Sequence, residues 1–306
     1  MATYRGACYL PEQLASIRAQ SWPNTRLFVS DDASPDETVA VVLAEQAGIT
    51  THVLADRSRK GVVRNFAAAL DACTAKYVAL SDQDDVWHPE KLRLLMTAML
   101  DFERRYGRST PILMFSDIEI VDADLKTLHA SFFRSTLKSA EAHRFRDFAI
   151  SNHVPGCAML FNRALLDRAL PVPDVSIHDH WLIQVAALLG RVGYVDSALL
   201  KYRQHGGNAI GLGLRERQRP AAYATEIVSR LIQRPRRWRR QAAEIRRNAA
   251  VLLDRFRNDD LHPEDLLLLK ALAQGNAAKA RRVLRNAVLG ERRLDVAGIL
   301  RRLRAA

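Results

Sequence analysis

Tyr77-Val78-Ala79-Leu80-Ser81-Asp82-Gln83-Asp84-Asp85-Val86-Trp87 carries a short apolar run straight into three carboxylates packed within four residues. The apolar part reads as a strand and the acidic part as the turn at its carboxyl end, where open α/β sheets bind their ligands. Clustered carboxylates repel one another unless a cation lies among them. Hard divalent ions such as Mg²⁺ or Mn²⁺ take these oxygens, and substrate phosphates often complete the shell. The stretch therefore predicts a metal and diphosphate site on an α/β sheet.

On either side of it, β-like runs alternate with helical patterns, the sequence form of a parallel α/β sheet. Arg26–Ser30, Thr50–Leu54, Tyr77–Leu80 and Ile112–Phe115 read as strands. Pro11 suits the first position of a helix through Leu14 and Ile17. Ser34-Pro35-Asp36-Glu37 combines an N-cap, a first-turn proline and a capping-box glutamate for a helix to about Gln46. Further helices follow Gly61 through Phe66 and Leu70, and Pro89 through Leu92, Leu95 and Met99. Met1–Tyr4 reads as the end of a first strand whose body is missing, which favours a true start upstream of Met1.

The 306 residues are long enough for one large or two modest domains, and 48% hydrophobic with 26% charged residues is ordinary globular composition. Three cysteines without paired metal-ligand spacing argue against a disulfide framework or structural zinc and for a reducing cytosol. No apolar run approaches the roughly 20 residues needed to cross a bilayer. Charge is divided unevenly. Residues 1–210 hold 23 Lys and Arg against 24 Asp and Glu, whereas 211–306 hold 23 against 10. This last third reads as helical throughout. Its runs, Arg234-Pro235-Arg236-Arg237-Trp238-Arg239-Arg240 foremost, suit a solvated basic face or peripheral contact with anionic membrane, and nucleic acid less.

The chain resembles the family 2 glycosyltransferases, and within them the rhamnosyltransferase-like branch, over about residues 1–211. The resemblance rests on the joint order of Ala2-Thr3-Tyr4, Tyr9 through Leu14, Val29 through Ser34, Gly61 through Phe66, Ser81 through Trp87, Pro155-Gly156-Cys157, His178-Asp179-His180-Trp181 and Tyr202-Arg203-Gln204-His205. It implies a GT-A fold: a Rossmann-like, mostly parallel sheet flanked by helices over 1–211, followed by the Arg-rich helical region 212–306. It also implies a nucleoside-diphosphate sugar donor, dTDP- or UDP-linked, a Mg²⁺ or Mn²⁺ ion, and inversion at the anomeric carbon. The acceptor it implies is a glycan or lipid-linked glycan at the cytoplasmic face of the membrane.

Residue by residue, the resemblance makes Asp179 the catalytic base, which must deprotonate an acceptor hydroxyl that is a poor nucleophile at neutral pH. It puts Asp84 on the metal with His205, and Asp82 near the ribose. Thr3, Tyr4 and Asp32 would form the base pocket, Arg64 and Asn65 would meet the nucleoside or diphosphate, and Gly156 would give a close backbone approach beside the donor sugar or acceptor. Local readings stand beside these roles: Asp31 and Asp32 can brace the turn before Ser34, and Asp179 can cap the helix through Trp181. His178 and His180, two apart, do not face one another on a helix and suit no shared metal. Where the family has Asn after the Thr-Tyr pair, this chain has Arg5. A nucleotidyltransferase is the rival enzyme, disfavoured because no Gly-rich phosphate loop follows the first strand. A catalytically inactive scaffold with a basic tail is the rival outside catalysis.

Overall fold

The computed structural model describes residues 1–45, 48–55, 58–136, 143–206, 220–285 and 300–303, with the side chains of 136 and 220–237 excepted. The chain divides into two compact units, Met1–Thr136 with Ser151–Arg203, and Leu137–Ile150 with Gln204–Ala306.

The first unit opens with a three-stranded parallel sheet of β1 (Ala2–Thr3), β2 (Arg26–Asp31) and β3 (Thr50–Ala55), in that order. Helices α1 (Leu10–Arg18), α2 (Thr38–Ala44) and α3 (Val62–Asp71) lie between and after these strands, as parallel crossovers require. The helix after Ser34 is shorter than the sequence predicts and is not capped by that serine. The Ser34 N–H and hydroxyl both donate to Asp31, at 2.8 and 2.6 Å, so the side chain closes an Asx-type turn and α2 starts four residues later. Similarly, α4 (Lys91–Tyr106) starts two residues past Pro89.

A second, mixed sheet runs in the order β4 (Tyr77–Ala79), β8 (Met159–Asn162), β6 (Ile112–Val121), β9 (Arg191–Arg203), β5 (Val86–Trp87), with β7 (Thr127–His129) paired to β6. The parallel pairing expected from the sequence thus holds for β1–β2–β3 and for β6–β9, while β4–β8, β6–β8 and β5–β9 are antiparallel. β6 is central, and nine of its ten residues are buried, Ser116 and Asp117 among them, Glu119 being half-buried; only its first four residues form the apolar run that the sequence shows. Helices α4, α7 (Arg163–Ala169) and α8 (His178–Leu189) pack on this sheet. The carboxylate turn follows β4 and runs into β5, so antiparallel β5–β9 pairing sets the end of β9 beside it.

In the second unit, α9 (Pro220–Arg255), α10 (Pro263–Ala273) and α11 (Ala277–Leu284) are helical as expected. They are joined by a segment from the middle of the chain: α6 (Phe145–Phe148) buries Phe145 and Phe148 and packs on α10 and α11. Most of the run Arg234–Arg240 lies outside the described side chains. Among the described residues no helix is long and apolar enough to cross a membrane.

Candidate active site

The turn after β4 is held by a side chain of α1 and by its own Gln83, which reaches the backbone just past β1. Gln13 donates to the Ser81 hydroxyl at 2.7 Å and to the Asp82 carbonyl at 3.2 Å. Gln83, the residue between the first two aspartates, clasps Tyr4 at both ends: its Oε1 accepts from the Tyr4 N–H at 2.8 Å and its Nε2 donates to the Tyr4 carbonyl at 2.9 Å. One primary amide thus does the work of a strand pair between the end of β1 and the acidic turn. Gly6 is needed beside it, since a Cβ there would stand 2.3 Å from Gln83 Oε1.

Asp82 and Asp84 are half-buried, whereas Asp85 is fully buried. Burial, then the charges of Asp84 and Asp179, raise the Asp82 pKa to about 7. Burial also pushes Asp85 well above the ordinary carboxylate range, with Asp84 and Asp82 adding to it. A resident cation sits among them. Lys91 is fully buried, donates to the Cys157 carbonyl at 2.6 Å and lies 3.6 Å from the centroid of the Trp87 ring, and Asp85 and Asp82 offset part of the cost of burying its charge. Lys91 corrects the premise that the acidic cluster demands a metal, because the protein supplies part of the compensation.

Ligand atoms of Asp82, Asp85 and Cys157 lie within 4.8 Å of one another, and Asp85 Oδ2 has no hydrogen-bond partner. A thiol is a soft ligand ill-suited to Mg²⁺ or Mn²⁺, so the oxygens that fit a hard ion are those of the half-buried Asp82 and Asp84. The residues therefore fit a divalent cation, while the inward-facing Asp85 accepts from the Arg203 backbone N–H at 3.3 Å through Oδ1.

Asp179 lies in the first turn of α8. Enclosure raises its pKa to about 6, opposed by hydrogen bonds from the His180 N–H, the Asn152 side chain and the Gly156 backbone. A Cβ on Gly156 would come 3.2 Å from Asp179 Cβ and 3.5 Å from Oδ2, so the close backbone approach at Gly156 is an approach to Asp179. His178 turns away from this chemistry: it is buried, stacked on Phe66 at 3.9 Å, and burial lowers its pKa to about 3.

The residues expected to meet the nucleotide lie at the carboxyl ends of β1 and β2 and the start of α3, with several of their groups engaged within the protein. Thr3 is 1% exposed and donates to Asp31 at 2.8 Å. Asn65 is buried, donating to the Thr3 carbonyl at 3.1 Å with its Oδ1 unpaired. Asp32 accepts from the backbone N–H of Lys60 at 2.5 Å and of Gly61 at 3.0 Å, and Arg59 lies 3.7 Å from it. Arg59 also covers the Tyr4 ring at 4.0 Å. Arg64 forms an exposed, two-pronged pair with Asp174. His205 is half-buried, two residues past β9 and in the second unit.

Lys91, Gln83, Asp85 and Arg203 received no role from the sequence. Lys91 is the legible case, because it heads the buried helical stripe Leu92, Leu95 and Met99 at a position where a solvated lysine is out of place. The others have partners far off in the chain, which a single sequence does not reveal.

The family model described as Glycosyl transferase family 2 matches residues 1–168. The dTDP-rhamnosyl transferase RfbG of Shigella flexneri is 24% identical over 229 residues, 70% of this chain and 74% of that protein. Among other curated relatives the chain spans 64% of the length of one and 16% of another. In fold, S. aureus TarS 1-349 in complex with UDP-GlcNAc matches with a TM-score of 0.57 at 17% identity, covering 99% of this chain and 88% of that one. The mannosyltransferase PcManGT from Pyrobaculum calidifontis, in complex with GDP-Man and Mn²⁺, matches with a TM-score of 0.55 at 17% identity over 92% and 71%.

Proposed function

Since this chain belongs to glycosyl transferase family 2, and is by that a glycosyltransferase of GT-A fold, we propose that it moves a sugar with inversion from a nucleoside diphosphate to an acceptor hydroxyl. The acceptor is a glycan or lipid-linked glycan in bacterial surface polysaccharide or lipopolysaccharide synthesis. L-Rhamnose from a dTDP donor is the preferred sugar, supported by the relationship to a dTDP-rhamnosyl transferase.

The observation that carries this reading is the placement of Asp179. A Cβ on Gly156 would stand 3.2 Å from Asp179 Cβ and 3.4 Å from Leu80 Cδ1, two residues before Asp82, which sets Asp179 and the start of the acidic turn against the same backbone. A base is thereby set beside the turn that would hold the donor. Asp179 takes the proton of the acceptor hydroxyl as that oxygen attacks C1 from the face opposite the diphosphate. The new C1–O bond forms, the C1–O bond to the β-phosphate breaks with its electron pair leaving on the diphosphate, and Asp179 later returns its proton to water. A base of this kind contributes about 10² to 10⁴ fold, with alignment of the reactants supplying much of the rest.

Asp84 would hold Mg²⁺ or Mn²⁺, with Asp82 beside it nearer the ribose. Mn²⁺ beside GDP-Man in the mannosyltransferase of similar fold supports the choice. When bound, the ion would neutralise charge on the departing diphosphate. Asp32 and Tyr4 would form the base pocket beside Thr3, with Asn65 behind. Asp32 keeps acceptor capacity for a ring N–H beyond its two backbone contacts. Arg64 would exchange Asp174 for phosphate, which its planar fork suits. The basic region 212–306, with half-buried Trp238, would bring the enzyme to an anionic membrane from the cytoplasmic side.

A thermal-shift screen of dTDP, UDP and GDP sugars with and without Mn²⁺ or Mg²⁺ tests the donor assignment, because a ligand that binds only the folded chain raises its melting temperature. A metal-dependent rise with dTDP compounds is expected. A folded sample that shifts with no nucleotide overturns the donor site.

A further inference from the structure

Arg203, the last residue of β9, is 3% exposed, and every face of its side chain is committed. Nε donates to the Asp84 carbonyl at 2.9 Å and Nη1 to the Ala123 carbonyl at 2.6 Å, while Nη2 pairs closely with the Glu12 carboxylate. The guanidinium lies 5.0 Å from the centroid of the Tyr9 ring. Its own backbone N–H donates to Asp85 Oδ1 at 3.3 Å. One residue thus joins α1, the loop after β6 and the acidic turn, and it holds that turn at the carbonyl of Asp84 and the carboxylate of Asp85.

From this we infer that Arg203 is a positioning residue for donor binding: it fixes the backbone of the acidic turn so that the Asp84 side chain is presented outward to the metal diphosphate, and Glu12 fixes Arg203. The inference rests on the reading of Asp84 as a metal ligand. Its physical ground is that a buried guanidinium cannot shed its charge, so its orientation is dictated by its acceptors and theirs by it. Bonding the Asp84 carbonyl restrains the peptide between Asp84 and Asp85, and with it the directions in which the two side chains leave the turn. The outward, half-buried Asp84 and the inward, fully buried Asp85 are the result. Lysine is no substitute, since a point charge on a flexible stem lacks the fixed fork that serves three separate acceptors.

The test uses the full chain and three variants, Arg203→Met, Arg203→Lys and Glu12→Gln. Binding of the nucleoside diphosphate that the wild type prefers is measured by calorimetry across a Mn²⁺ titration and again without metal. Outer-shell partners of metal ligands typically govern about 10- to 100-fold in metal affinity. The half-saturating Mn²⁺ concentration should therefore rise by about that factor in Arg203→Met, less in Arg203→Lys and Glu12→Gln, with metal-free nucleotide binding unchanged. Should Arg203→Met fail to fold, Glu12→Gln, which keeps the guanidinium, carries the same prediction. A folded variant with an unmoved Mn²⁺ midpoint, or with equal losses in the presence and absence of metal, overturns the positioning role. A wild type that binds nucleotide indifferently to Mn²⁺ overturns the functional reading, and the inference falls with it.

Discussion

At the scale of single residues, enclosure is what would make Asp179 a usable base. With its pKa at about 6 it remains a carboxylate at neutral pH, yet it accepts a proton far more readily than an exposed aspartate near 4. The deprotonated form is the active one, so kcat should rise with pH through about 6 and level off above it. A pH–rate profile that is flat from pH 5 to 8 would remove Asp179 from the rate-limiting proton transfer. Arg5 has a different kind of consequence. It sits at φ 52°, in the left-handed region that costs most residues roughly 1–2 kcal/mol and that asparagine tolerates. The Asn expected there from the family resemblance thus has a conformational reason, and Arg5→Asn should stabilise the protein by about 1 kcal/mol in denaturant unfolding. The carboxylates were legible as residues because their clustering is unusual. The split between outward Asp82 and Asp84 and inward Asp85 was not, since it depends on Lys91 and Arg203 approaching from six and more than a hundred positions away.

At the scale of elements, the turn Pro155–Cys157 and the start of α8 form one piece of machinery, with Gly156 against Asp179. Gly156→Ala places a methyl group 3.2 Å from Asp179 Cβ, a contact relieved by a shift of a few tenths of an ångström. The expected outcome is a loss of about tenfold or more in kcat, since small misplacements of reacting groups are costly, with donor affinity retained. Loss of donor binding instead would place Gly156 in the donor pocket. The parallel strands β2 and β3 and the helices after them were readable because apolar periodicity and turn residues agree there. Ser34 has the sequence of a cap but does not act as one, because Asp31 competes for both its hydrogen-bonding groups. The antiparallel pairs of β8 with β4 and β6 were hidden because the short run Met159–Asn162 carries no sign of its partners' direction.

At the scale of the whole molecule, the site costs stability. Asp179 holds its proton in the folded chain up to about pH 6 and releases it in the unfolded chain near 4, so the folded state binds more protons between those values and stability falls as pH rises across them. Asp179→Asn should therefore be more stable than the wild type, by an amount that grows from pH 4 to 6 and then stays at no more than about 2 kcal/mol, given partial solvent access. Melting temperatures of both proteins across that range check it. An Asp179→Asn variant no more stable than wild type at pH 7.5 would mean that the carboxylate is not desolvated. The composition break near residue 211 announced a second region. It did not announce that Leu137–Ile150 would join it, because Phe145 and Phe148 look like any other apolar pair until α10 and α11 cover them.

The central claim, that Asp179 is the base of a sugar transfer, is tested most directly by Asp179→Asn. Donor affinity and nucleoside diphosphate release are to be measured on the same folded sample, with donor, Mn²⁺ and acceptor present. The account predicts donor binding equal to that of the wild type and release slowed by at least about 10²-fold, the lower end of what a positioned base contributes. Release at the wild-type rate with donor bound would contradict it.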